Sequence, residues 1–218
     1  MNAEISAEGI RTVPKIDKGV QDLPFPKTLK GLQSFLGSLN YYHKFIDDFP
    51  VVAAVLYELS DDQVHSGRDL TRAKAALEIL KKKIVSTPLL RHPDRSKPFA
   101  IIPHANRWAA CAGLGQEYDG KIQPVQFTGR VLNDAELRYH IAEKEVIAVL
   151  RVLHVFRTLL EGCRLEVCTR HSVFKWVLQS KTADGRWVPW GVMLSHWDIT
   201  VRTIQKYEVP FWGRDDSP

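Results

Sequence analysis

Cysteine is scarce in this 218-residue chain, and the three that occur form no CxxC pair. An odd, unpaired set argues against a disulfide framework and against a structural zinc site. It suits a reducing compartment inside the cell, cytoplasm or nucleus. Cys163 and Cys168 fall on what reads as one strand, so they are expected on opposite sides of a sheet. Long apolar runs are missing too. Nothing approaches the roughly 18 residues of a membrane span, and the opening MNAEISAEGI has no basic stretch leading into an apolar one. No membrane partner is expected. The chain does have 44% hydrophobic residues, enough for a core in one ordinary domain plus a smaller appendage. Its net charge of +5 and pI near 9.1 suit a polyanionic partner, a property shared by many proteins that bind none.

Residues 1–22 are polar and unpatterned and read as a flexible tail. From Leu23 the pattern changes. Pro24 and Pro26 punctuate an extended stretch, Thr28 suits an N-cap, and Leu29, Leu32, Leu36 and Leu39 recur at helical spacing, with Phe35 and Tyr42 broadening the stripe. The spacing predicts an amphipathic helix of about 17 residues ending near Phe45. Residues 58–69, ELSDDQVHSGRD, are charged and read as a connection. Ala73, Ala76, Leu77, Leu80 and Ile84 then predict a second helix from a Thr71 cap, its outer face carrying Lys74, Lys81, Lys82 and Lys83. Such a lysine run is either a solvated face or a phosphate contact.

After Pro93-Asp94 the period switches. Residues 99–102, 109–116 and 122–128 read as three strands, with Tyr118-Asp119-Gly120 as the turn between the second and third. An apolar helix follows over 142–160, with Val146, Val149, Leu150, Leu153, Phe156 and Leu160 inward. A strand over 165–169, a short helix over 173–179 and a strand over 197–204 complete the order. This predicts an α/β fold, a mixed five-stranded sheet with flanking helices preceded by a small helical segment. Trp187, Trp190 and Trp197 cluster late in the chain, where buried packing or base stacking would use them.

Four stretches carry a resemblance. LPFPKTLKGLQSFLGSLNYYHKFIDDFP resembles PxPKTxxxLxSFLGxxNYYRRFIxxF, which follows the polymerase palm in gypsy-type LTR-retrotransposon Pol polyproteins. AALEILKKKIVSTPLLRHPD is similar to that family's AFxxLKxxLxxxPVLxxPD. FTGRVLNDAELRYHIAEKEVIAVLRVLHVFRTLLEG and GRWVPWGVMLSHWDITV resemble its ribonuclease H-like words. The resemblance spans residues 14–213. It implies a reverse-transcriptase thumb/connection-like segment over 23–68 and a ribonuclease H-like domain over 69–213, with a tail over 214–218. Asp47 and Asp48 imitate a polymerase metal pair, but they stand where the family has FIPNF and read as a solvated helix end. Without palm and fingers, no polymerase activity is expected.

The resemblance also implies a site. Ribonuclease H cleaves the RNA of an RNA:DNA hybrid with two magnesium ions, which demand several converging carboxylates. The family takes these from TDAS, EKE, TDH and ADALS. In this sequence the matching words are Pro103-His104-Ala105-Asn106, Glu143-Lys144-Glu145 and Thr169-Arg170-His171. The last is unmatched, with Phe211-Trp212-Gly213 and Asp215-Asp216 near its place. His104 and Arg170 thus replace aspartates, and Glu145 alone matches. Two-metal hydrolysis is expected to be weak or absent, with no resident magnesium. Glu145 then reads most simply as an ion-pair partner for Arg170, and His104, Glu145 and His171 as an alternative zinc set if they converge. Arg130, Arg138, Lys144, Arg170 and His171 lie in words that surround the hybrid groove in the family. The resemblance implies phosphate contacts there to an RNA:DNA hybrid or other nucleic acid.

Overall fold

The computed structural model describes residues 3–12, 19–66, 70–169, 187–203 and 209. The chain opens not on a tail but on a hairpin of β1 (Ala3–Ser6) and β2 (Gly9–Thr12), paired antiparallel. Its anchor is distant in sequence: Ile10 and Leu90 exchange backbone hydrogen bonds of 2.7 and 2.9 Å. Gly9 makes this contact possible, because its φ of +151° and the adjoining Leu90 carbonyl leave no room for a Cβ. Most hairpin side chains face solvent, so no apolar alternation betrays the strands.

A helical layer follows. Thr28 caps α1 (Leu29–Leu39) by accepting from the Gly31 amide at 3.1 Å, and Leu32, Leu36 and Leu39 form its buried stripe. The helix tightens over Asn40–Phe45 into a 3₁₀ turn rather than running on as one α-helix. A further helix, α2 (Phe49–Tyr57), arises where the sequence reading offers no element. Its run FPVVAAVLY is apolar on all sides, and Phe49, Pro50, Val52, Ala53, Ala54 and Leu56 are all buried. The expected connection over 58–69 contains a short helix, α3 (Asp61–Ser66).

Helix α4 (Thr71–Val85) starts at Thr71 itself, with Leu70 at the cap position and no side-chain cap. Its lysines divide. Lys82 is exposed, but Lys81 is buried and donates to the Leu23 carbonyl, and Lys83 reaches Asp47 and Asp48. Half of the supposed outer face is therefore inward. α1, α2 and α4 share one core, built around Leu36, Phe45, Val52, Leu77 and Leu80.

The sheet runs β5-β4-β3-β6-β7. β3 (Phe99–Ala105), β4 (Ala109–Tyr118) and β5 (Lys121–Val131) form an antiparallel meander. β6 (Leu165–Cys168) and β7 (Ile199–Arg202) add in parallel beside β3. Asp119 and Gly120, with φ of 53° and 75°, make the tight turn that joins β4 to β5. α5 (Ile141–Val155) continues, after a break at Phe156, into α6 (Arg157–Leu160). α5 covers one face through Val146, Val149 and Val152 against Phe99, Ile101 and Leu114.

α7 (Trp187–Ser195) closes that face, with Trp190 and Trp197 half-buried against the core; the Trp187 side chain lies outside the described residues. For those two indoles, packing is the role the fold gives. Cys163 precedes β6 and packs on the α5 face, whereas Cys168 packs with Ala100 and Ile102 on the other. The helix expected over 173–179 lies outside the described residues.

Candidate functional site

Of the words that should carry the chemistry, Glu143-Lys144-Glu145 and Thr169 meet at the start of α5. His140 caps this helix: its Nδ1 accepts from the Ala142 amide at 3.3 Å, while its own amide donates to Glu143 Oε2 at 2.8 Å. Glu143, Lys144 and Glu145 are then buried in succession. Burial of three adjacent charges demands partners for each. Glu143 serves the cap. Lys144 Nζ donates to the backbone carbonyls of Arg107 at 3.2 Å and Leu137 at 2.9 Å. Glu145 Oε2 accepts from the Thr169 hydroxyl at 2.8 Å, just past the end of β6.

His104 lies near the end of β3, half-buried and paired in register with Cys111. Alternation along the strand fixes its side. Phe99 and Ile101 face α5, as do Ala110 and Ala112 on β4, so His104 and Cys111 share the opposite face. That is the side on which α2 packs, and Val51 of α2 meets the Cys111 thiol. Burial, then Asp48 and Asp47, push this thiol well above its ordinary range, which keeps it protonated and inert. Among the described residues, no three His, Cys, Asp or Glu side chains gather closely enough to hold a metal ion. Arg170, His171, Phe211, Trp212, Gly213, Asp215 and Asp216 lie outside the described residues, and with them the expected Glu145–Arg170 pair and the zinc set.

The cations expected at a phosphate groove have different situations. Arg130 forms a bidentate pair with Glu136, at 2.6 and 2.7 Å. The hydrogen bond holds the Glu136 carboxyl below its usual range and raises the guanidinium further. Lys144 is committed to two carbonyls and cannot turn to a phosphate without leaving them unsatisfied. Arg138 is exposed, on the 3₁₀ turn Glu136–Arg138. The sequence reading missed Arg107 and Trp108 on the β3–β4 turn, both exposed, with the guanidinium 4.7 Å above the indole. Their signal was an Asn-Arg-Trp triplet between two apolar strands.

The Glu145–Thr169 bond makes a first prediction. Thr169→Val keeps the shape and removes the donor, so a buried carboxylate loses a hydrogen bond. Unfolding in urea is expected to show a loss of about 1–3 kcal/mol, and a change below about 0.5 kcal/mol would deny the bond any structural role.

Residues 94–197 match the RNase H-like domain found in reverse transcriptase. The Pol polyprotein of the Drosophila melanogaster transposon opus is 29% identical over 205 residues, covering 89% of this chain and 20% of the relative. That of the Drosophila transposon 297 is 28% identical over 204 residues, with coverage of 94% and 19%. The Tf2-3 polyprotein of Schizosaccharomyces pombe is 29% identical over 181 residues, with coverage of 81% and 14%. The chain thus spans a fifth or less of the length of these relatives.

Among solved structures, a foamy viral protease-reverse transcriptase in complex with double-stranded DNA superposes with a TM-score of 0.72 at 21% identity, over 94% of this chain and 37% of the other. Another, in complex with an RNA/DNA hybrid, gives 0.69 at 21% identity, over 100% and 31%. At that identity the likeness establishes the fold: an α/β ribonuclease H-like sheet with flanking helices. Residues 94–197 are therefore a ribonuclease H-like domain of the reverse-transcriptase type, and the chain that carries them is similar over most of its length to retrotransposon Pol polyproteins.

Proposed function

We propose that this chain descends from an RNA:DNA-hybrid endonuclease, has lost two-metal hydrolysis, and retains the fold as a module that holds nucleic acid. The observation that carries this reading is the donor set at the head of α5. Glu145 is buried and hydrogen-bonded to Thr169, beside Glu143, which the helix cap holds; His104, at the place of the family's first aspartate, stands on the sheet face opposite α5, and Arg170 follows Thr169 in the sequence. One carboxylate, an imidazole and a guanidinium do not fit a pair of hard magnesium ions, which need several oxygen ligands. No metal-dependent step is derived for this chain.

In the same reading, residues 23–68 are the thumb/connection-like segment and 69–213 the ribonuclease H-like domain, with α4 fastening the second to the first. The place of action is inside the cell, in cytoplasm or nucleus; no helix among the described residues is long and apolar enough to cross a membrane. The net charge of +5 supports a nucleic-acid partner, an RNA:DNA hybrid or another form, as do the double-stranded DNA and the RNA/DNA hybrid held by the two foamy viral structures.

The test is incubation of a labelled RNA:DNA hybrid with the chain and magnesium or manganese, beside Glu145→Gln, together with hybrid binding at two salt concentrations. The expected result is no cleavage above the protein-free control and binding that weakens as salt rises. Cleavage abolished by Glu145→Gln would overturn the loss of chemistry, and absence of binding at low salt would overturn the nucleic-acid role.

A further inference from the structure

Lys144 does more than satisfy itself. By donating to the carbonyls of both Arg107 and Leu137, its buried ammonium draws the β3–β4 turn against the 3₁₀ turn that precedes α5. Arg107 and Arg138, the second of these next to Leu137, thereby come to one surface with Trp108. Each is exposed, and among the described residues neither guanidinium has an ion-pair partner. Three of the neighbouring acids are occupied, Glu136 by Arg130, Glu143 by the helix cap and Glu145 by Thr169, while Asp134 is exposed to solvent.

The turn is rigid. Asn106 Oδ1 accepts from the Trp108 and Ala109 amides at 2.8 and 2.9 Å, and the Trp108 carbonyl accepts from the Leu132 amide at 2.9 Å. The fixed backbone holds Trp108 with 39% of its surface open to solvent. Arg107 lies over the indole at 4.7 Å from the ring centre, and part of the ring stays open to solvent.

We propose that this patch is a stacking site for unpaired nucleotides, in which the exposed part of the Trp108 ring takes a base while Arg107 and Arg138 take the flanking phosphates. Stacking on an aromatic plane tolerates any base, and paired guanidiniums add a sequence-independent, salt-sensitive attraction. A duplex, whose bases are stacked on one another, offers the indole no free face. The site therefore favours single-stranded over double-stranded nucleic acid. The inference rests on the proposed nucleic-acid role and goes further, in assigning the residues and the form of the strand.

The experiment measures anisotropy of a labelled single-stranded oligonucleotide and of the corresponding duplex with the full chain at two salt concentrations. Trp108→Ala is expected to raise Kd for the single strand about tenfold. Trp108→Phe, which keeps a ring, should stay within about threefold of the parent. Arg107→Ala and Arg138→Ala should each lower the salt slope by about one phosphate contact. Lys82→Ala, which removes an exposed charge on α4, is the control for general basicity and should leave base stacking intact. Binding by the parent chain with no loss in Trp108→Ala overturns this site and leaves the broader role standing. Equal losses in Trp108→Ala and Trp108→Phe overturn stacking as its mechanism. No binding by the parent chain at low salt overturns both the site and the role.

Discussion

Phe127→Ala is expected to destabilise the protein by about 3–5 kcal/mol, the largest loss from any single truncation at the joint between the helices and the sheet. Phe127 belongs to β5, yet its ring is 2% exposed within the core of α1, α2 and α4, not within the core under α5. It reaches that core because its partner across the ladder is Gly113, which has no side chain to compete for the space. Truncation leaves a cavity where, among the described residues, the five-stranded sheet inserts a large side chain into the helical layer. Relaxation is restricted there by the ladder on one side and by α2 on the other.

Urea unfolding should show the midpoint drop, with hydrogen exchange in α2 and α4 accelerating more than in β3 and β4. Phe127→Leu, which conserves most of the volume, should cost less than about 1.5 kcal/mol. A loss under about 1 kcal/mol in Phe127→Ala would mean that the helical layer is held by its own contacts.

The parts that sequence made legible are those governed by local rules. Thr28 at the start of α1, the leucine stripe behind it, the Asp119-Gly120 turn and the apolar face of α5 each follow from a cap, a period or a positive φ that neighbouring residues dictate. What escaped depends on partners distant in the chain. The β1–β2 hairpin is fixed by Leu90, and no pattern within residues 1–22 announces a strand. α2 is apolar all round, so it carries no period by which to tell a helix from a strand. Lys81 and Lys83 look like solvent-facing charges until the Leu23 carbonyl and the two aspartates are folded against them. At the site, the residue types at each word were legible, whereas the Thr169 hydroxyl bonded to Glu145 and the two carbonyls bonded to Lys144 needed coordinates.

Asp47 and Asp48, which read as a solvated helix end, lie instead ahead of α2, and both side chains are largely covered. Lys83 Nζ lies 3.3 Å from Asp47 Oδ1 and 2.9 Å from Asp48 Oδ1, in the second case off the line of a well-formed hydrogen bond. One ammonium therefore serves two carboxylates. Burial and then the charge of Asp48 push the Asp47 carboxyl up to about 6, more than Lys83 can offset. Burial alone would lower the ammonium, but Asp47 and Asp48 raise it.

For Asp47 the folded state holds its proton to a higher pH than the unfolded chain. Its contribution to stability is therefore present at low pH and is lost as pH rises from about 4 to about 6, on the order of 2 kcal/mol. Asp47→Asn has no such proton to lose. The difference in unfolding free energy between this variant and the parent should grow through that window and then stay level, leaving the variant more stable by about 1–2 kcal/mol at neutral pH. Lys83→Met should act in the opposite direction. It leaves two covered carboxylates without their cation and should cost about 2–3 kcal/mol at neutral pH, a loss that shrinks as acid neutralises Asp47. A Lys83→Met loss that stays constant from about pH 4 to about pH 7 would show that the ammonium acts through packing of its stem and not through its charge.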